Sequence, residues 1–223
     1  MNDERNIIYQ RLTAVQDTIQ RLQNVLFALG NTDIRENPRR YQELSMDAAL
    51  RSERITCQLR NLVYATDDGK RGNYLSQAAR AQHISICQQQ GILIITLPGL
   101  LPKRKVHTNG GFLHEPLNFA LQEYVTKRNL PLYRDCVVCF RQTYDRNLSS
   151  RRVRDYDNLE LKQILDTIAA YVLSDDSGLF CDSYHTTEFG CSDFTAIYIM
   201  EKNAFPEWVK QWKNSMQTIS EIS

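Results

Sequence analysis

The sequence predicts an α+β protein: a mixed α/β domain with a small sheet flanked by helices, preceded by an antiparallel helical hairpin. Three observations carry this. Residues 4–29 repeat apolar side chains at alternating spacings of four and three, and a second stretch from Tyr41 to Leu62 does the same. From residue 92 onward, short β-branched runs alternate with helical patterns. Turn-forming clusters separate these regions, at Asn31–Pro38 and at Asp67–Asn73 (DDGKRGN). The expected organisation is a hairpin over 1–66, a linker and connecting helix over 67–91, and the α/β domain over 92–223.

In the first helix Ile8, Leu12, Val15, Ile19, Leu22, Leu26 and Leu29 form an a/d seam ending at Gly30. In the second, Tyr41, Leu44, Ala48, Ile55, Leu59 and Leu62 repeat it, with Arg51 interrupting. Two helices cannot cover both seams alone, so the hairpin packs on another copy, on another protein or on the rest of the chain. A third helix is expected over roughly 74–90, stopping at Gly91. Ile92–Leu97 (ILIITL), closed by Pro98-Gly99, reads as a buried strand. A helix over 115–128, a strand over 135–144, a helix over 158–172, strands over 179–187 and 193–200, and a final helix opening at Pro206 complete the order β-α-β-α-β-β-α.

Composition is that of a soluble globular chain, 42% hydrophobic and 24% charged. No apolar stretch is long enough to span a membrane, the N-terminus lacks the pattern of a signal peptide, and the six cysteines read as reduced thiols. A cytoplasmic protein is expected. The net charge of +1 conceals segregation: residues 101–154 hold eleven Lys/Arg against four Asp/Glu, and residues 155–223 hold four Lys against twelve Asp/Glu. A basic block beside an acidic one suits a metal-dependent nuclease, which must attract phosphates and hold a cation. Solvated charged faces are the plainer alternative.

The densest chemistry lies between Arg151 and Gly178 (RRVRDYDNLELKQILDTIAAYVLSDDSG). In an extended 154–157, Asp155 and Asp157 would point to one side and share one hard cation. Asp157 could instead cap the following helix, which would leave Asp155 and the pair Asp175-Asp176 unexplained.

Asp155-Tyr156-Asp157-Asn158-Leu159, Asp175-Asp176 after a helix, and the strand Ile94–Gly99 together resemble the RusA-like Holliday-junction resolvases over roughly residues 92–203. The resemblance implies metal and catalytic roles for Asp155, Asp157 and Asp176, with Asp175 beside them and Mg²⁺ (or Mn²⁺) as cofactor. It further implies DNA contacts from Arg151, Arg152 and Arg154 and from the basic loop Lys103, Arg104 and Lys105. The family's lysine, four residues after the second aspartate, is Leu161 here, with Lys162 one position later; one residue rotates a helical side chain by about 100°. The implied function is a Mg²⁺-dependent, structure-selective endonuclease cutting branched DNA in recombination or repair. The rival is a catalytically weak or inactive DNA-binding or assembly protein acting through its helical extension. A helix over 158–172 would be about 22 Å long, leaving only Leu173 and Ser174 to return Asp176 to Asp155. This points either to a shorter helix, ending near Ala169, or to a homodimer sharing Asp176.

Cys136 and Cys139, with Cys181, His185 and Cys191, offer zinc ligands. Residues three apart in a strand face opposite sides, however, so small buried thiols are the better reading. Trp208 and Trp212 share one helical face, which reads as core packing, with base stacking or a subunit contact as alternatives.

Overall fold

The computed structural model describes residues 2–66, 71–102 and 111–220, and the chain divides into two units, Met1–Arg71 and Gly72–Ser223. In the first unit α1 (Asn2–Gly30) and α2 (Pro38–Thr66) pack on each other as the expected hairpin. The turn is closed by Asp33, whose carboxylate accepts the N–H groups of Arg35 (2.6 Å) and Glu36 (3.4 Å). Pro38 opens α2, where its missing N–H costs nothing. The buried stripe of α1 differs from the expected seam. Val15 and Thr18 are buried and Leu22, Val25 and Leu29 half-buried, while the seam residues Leu12, Ile19 and Leu26 stay exposed. One helix–helix contact covers a narrower stripe than the apolar residues of α1 occupy.

All of α3 (Arg71–Ala81) but its first residue belongs to the second unit, and it is shorter than the helix expected over 74–90. His83 adopts the left-handed conformation (φ 58), its N–H reaches Arg80 O and the N–H of Ile84 reaches Ala79 O, both at 2.9 Å. That pair of bonds is a Schellman stop, with Ile84 buried as its apolar contact. The freed residues form β1 (Ser85–Gln89), which turns through Gln90 (φ 50) and Gly91 (φ 81) into β2 (Ile92–Leu97). Positive φ at both turn residues defines a type I′ hairpin. Gln90 is not a usual residue there, and so the strand was hidden in the sequence.

There follow α4 (Gly111–Arg128), β3 (Cys136–Asp145), α5 (Lys162–Val172), β4 (Cys181–Gly190), β5 (Phe194–Glu201) and α6 (Phe205–Ser220). The sheet runs β1-β2-β5-β3-β4, antiparallel throughout except for the parallel pair β3–β4 joined through α5. β3 is buried on both faces, as its unbroken apolar start requires. One face carries the main core, with Leu93, Ile95, Val138, Phe140, Ile197 and Ile199 packed against Leu117 and Leu121 of α4 and Ile164 and Ile168 of α5. The other holds Cys139, Ala196, Tyr198 and Met200 under α6. There Tyr198 meets Trp208 at 4.9 Å and Trp208 meets Trp212 at 5.8 Å, so the tryptophans pack on the sheet face. The α+β class holds.

Candidate functional site

The acidic constellation is distributed along the β3–α5–β4 crossover. After β3 the chain makes two 3₁₀ turns, Ser150–Arg152 and Tyr156–Asn158, before α5 begins. The arginines of the first turn are occupied by the fold. Arg152 forms an ion pair with Asp193, whose carboxylate also accepts the N–H of Asp145 at 2.8 Å. Burial pushes the Asp193 carboxyl up, but these two partners together hold it below its usual value. Arg154 donates through its guanidinium to Leu101 O (3.1 Å) and through its backbone to the Tyr144 hydroxyl (3.2 Å). Arg151 is exposed. Lys103, Arg104 and Lys105 lie outside the described residues.

Asp155 is extended (φ −64, ψ 144) and Asp157 sits inside the second 3₁₀ turn, so they do not share a face by strand alternation as expected. Tyr156, between them, anchors the turn. Its ring stacks on His185 of β4 (5.2 Å), which stacks in turn on Phe140 of β3 (5.5 Å), and its hydroxyl bonds Thr187 Oγ1 (3.0 Å). Leu159 is buried, and the Glu160 N–H donates to Pro102 O at 2.9 Å. Asp155 and Asp157 are thereby held in place and exposed, and among the described residues neither carboxylate makes a hydrogen bond or ion pair. Capping does not account for Asp157, because the N-cap of α5 is Leu161, with no side-chain cap.

α5 is an 11-residue helix, about 16 Å long, shortened at its start and not near Ala169. At its far end Leu173 bridges Tyr133, and the Ser174 N–H donates to Tyr133 O at 2.9 Å. Asp175 accepts the Ser177 N–H (2.8 Å), Asp176 is exposed, and β4 begins at Cys181. Tyr156 is anchored four to six residues further along β4, roughly 13–20 Å away at ~3.3 Å per residue. Among the described residues no three His, Cys, Asp or Glu side chains come together as a metal site. The set Asp155, Asp157 and Asp176 is therefore not assembled within one chain. Lys162, the first residue of α5, pairs with Asp166 one turn on (2.9 Å).

Ser183, His185 and Thr187 alternate on the face of β4 that meets Tyr156, and of these only His185 is singled out in the sequence. Their signal is the period-2 spacing in SYHTT. Ser183 Oγ lies 3.1 Å from His185 Nε2, while Nδ1 is buried without a partner. Burial lowers the His185 pKa. The zinc half-site is absent too: Cys136 and Cys139 are buried on opposite faces of the sheet.

Fold and site define a two-unit α+β protein with an acidic turn fastened to a parallel strand pair. The chain belongs to DUF6100, a family of unknown function, which matches residues 3–223. No curated protein matches it. Among solved structures it is similar to the periplasmic domain of Helicobacter pylori MotB (12% identity, TM-score 0.35, 62% of this chain and 93% of that one). It is also similar to the cell wall anchor of the Pseudomonas aeruginosa T6SS (10%, 0.34, 59% and 96%) and to a putative MotB-like protein from Desulfovibrio vulgaris (12%, 0.32, 59% and 99%). At these TM-scores the likeness carries no reading of function.

These findings overturn the resolvase expectation. The family that matches nearly the whole chain is DUF6100, and not the RusA-like resolvases. The Mg²⁺-dependent endonuclease, its inactive DNA-binding counterpart, the recombination and repair role and the branched-DNA partner are all corrected accordingly. The homodimer expected to share Asp176 at such a site is corrected with them. Physically, Arg152 and Arg154 serve the fold, Lys162 pairs with Asp166, and Asp176 stands apart from the other two aspartates.

Proposed function

We propose that the α/β unit is a divalent-cation-binding module, with Mg²⁺ (or Mn²⁺) held by Asp155 and Asp157. The observation that carries this is the contrast within one short segment. Arg152 and Arg154 are engaged by neighbours, Tyr156 and Leu159 fasten the backbone, and the carboxylates of Asp155 and Asp157 are left exposed with no hydrogen bond or ion pair among the described residues. Mg²⁺ suits such a site, because it dehydrates reluctantly and is commonly bound by one or two carboxylates while keeping several waters. Two exposed carboxylates imply weak binding, roughly millimolar, with water positions left open for an oxygen-bearing ligand. The reading is of binding and not of turnover. Calorimetric titration with Mg²⁺ tests it. Wild type should bind, Asp157→Asn should bind at least tenfold more weakly, and Asp176→Asn should bind as wild type does. Equal binding by all three would refute the assignment.

A further inference from the structure

Cys136 opens β3, Cys181 opens β4, and the two are register partners in the parallel ladder. Register partners on neighbouring strands face the same way, and both thiols belong to the main core cluster, at 0% and 7% exposure. Neighbouring strands lie about 4.8 Å apart, inside the roughly 4.4–6.8 Å range of Cα separations that a disulfide spans. Cys181 Sγ itself donates a long hydrogen bond to Asp182 O, at 3.9 Å. The neighbouring thiol is the largest influence on each: it makes Cys181 easier to ionise than an ordinary cysteine and Cys136 harder. No other cysteine pair shares a register among the described residues. Cys139 faces the opposite side of the sheet, where burial pushes it up to about 12. Cys57, Cys87 and Cys191 are exposed, in α2, in β1 and beyond the end of β4. The run from Ser174 to Phe180, exposed throughout, leads directly into Cys181 and offers the approach.

We infer that Cys136 and Cys181 form a redox-active dithiol that hydrogen peroxide converts into a cross-strand disulfide. The Cys181 thiolate attacks a peroxide oxygen, the O–O bond breaks, and the departing hydroxide takes up a proton to leave as water. Cys181 is then a sulfenic acid. The Cys136 sulfur attacks the Cys181 sulfur, the S–O bond breaks, and the hydroxide leaves with the Cys136 proton as a second water. Two thiols lose two electrons and two protons, and one peroxide is reduced to two waters. The product fastens the start of β4 to β3 and fixes the C-terminal end of the exposed 174–180 run.

The test uses the full chain carrying Cys57→Ser, Cys87→Ser and Cys191→Ser, treated with hydrogen peroxide. Expected are a loss of about 2 Da reversed by a thiol reductant, a non-reduced peptide joining Cys136 to Cys181, and a melting temperature several degrees higher. Adding Cys136→Ser should stop the reaction at a Cys181 sulfenic acid that dimedone captures. Oxygen addition without the mass loss, a link through Cys139, or reaction only after unfolding would overturn the inference.

Discussion

The two ends of α5 each carry an acidic pair, and they are built in opposite ways. Before the helix, Asp155 and Asp157 flank a tyrosine stacked on β4 and precede the buried Leu159, and their carboxylates are unengaged. After it, Asp175 closes its own turn by accepting the Ser177 N–H, and the run from Ser174 to Phe180 is exposed, with Leu179 at 82%. Equivalent residue types therefore do different things. A carboxylate held by a fixed backbone can take a cation without reordering the chain first, whereas Asp175 and Asp176 lie in a run in which every residue from Ser174 to Phe180 is exposed.

The contrast can be broken most forcefully through the anchors. Leu159→Ala should lower unfolding free energy by about 2–4 kcal/mol, the usual cost of emptying a buried leucine site, whereas Leu179→Ala at the other end should change it by under about 0.5 kcal/mol. Urea denaturation measures both, and equal losses would erase the distinction. Tyr156→Phe keeps the ring on His185 and removes the Thr187 hydrogen bond, so a loss of about 0.5–1.5 kcal/mol is expected. Asp175→Ala removes one exposed turn bond and should cost roughly 0.5 kcal/mol.

The pH response sharpens the same comparison, since His185 lies under the first end only. Its folded pKa is depressed by burial below the ordinary 6.5. As pH falls through that value the unfolded chain takes up the proton first, so stability from this residue is complete above about pH 6.5 and declines below it. His185→Gln should remove that part of the acid-side decline, measured as melting temperature across pH 5 to 7. An unchanged profile would show that the imidazole is not shielded between Phe140 and Tyr156.

Much of the fold was legible in the sequence. The hairpin, β2 to β5, α4 and α6 follow from periodicity and from Gly30, Pro38 and Pro206. What was hidden depended on local backbone conformation. His83 stops α3 by taking positive φ, and Gln90 supports a turn usually given to Asn or Asp, so β1 read as helix. At the site, D-Y-D-N-L marked the right segment, but the pattern could not show that Asn158 ends a 3₁₀ turn and that the helix waits until Lys162. It could not show that Arg152 and Arg154 had partners 41 and 53 residues away in Asp193 and Leu101. Nor could it show that the two acidic pairs, alike in type, stand apart in space.

The central claim, that the aspartates before α5 take the cation and those after it do not, is tested most directly by adding Mn²⁺ to the ¹⁵N-labelled protein. Paramagnetic broadening of the amide signals reports which end it occupies. The account predicts selective loss of signal from Asp155 to Leu159 and at Thr187, reversed by excess Mg²⁺ and absent in Asp157→Asn. Broadening centred on Ser174 to Phe180, or spread evenly over both ends, would contradict it.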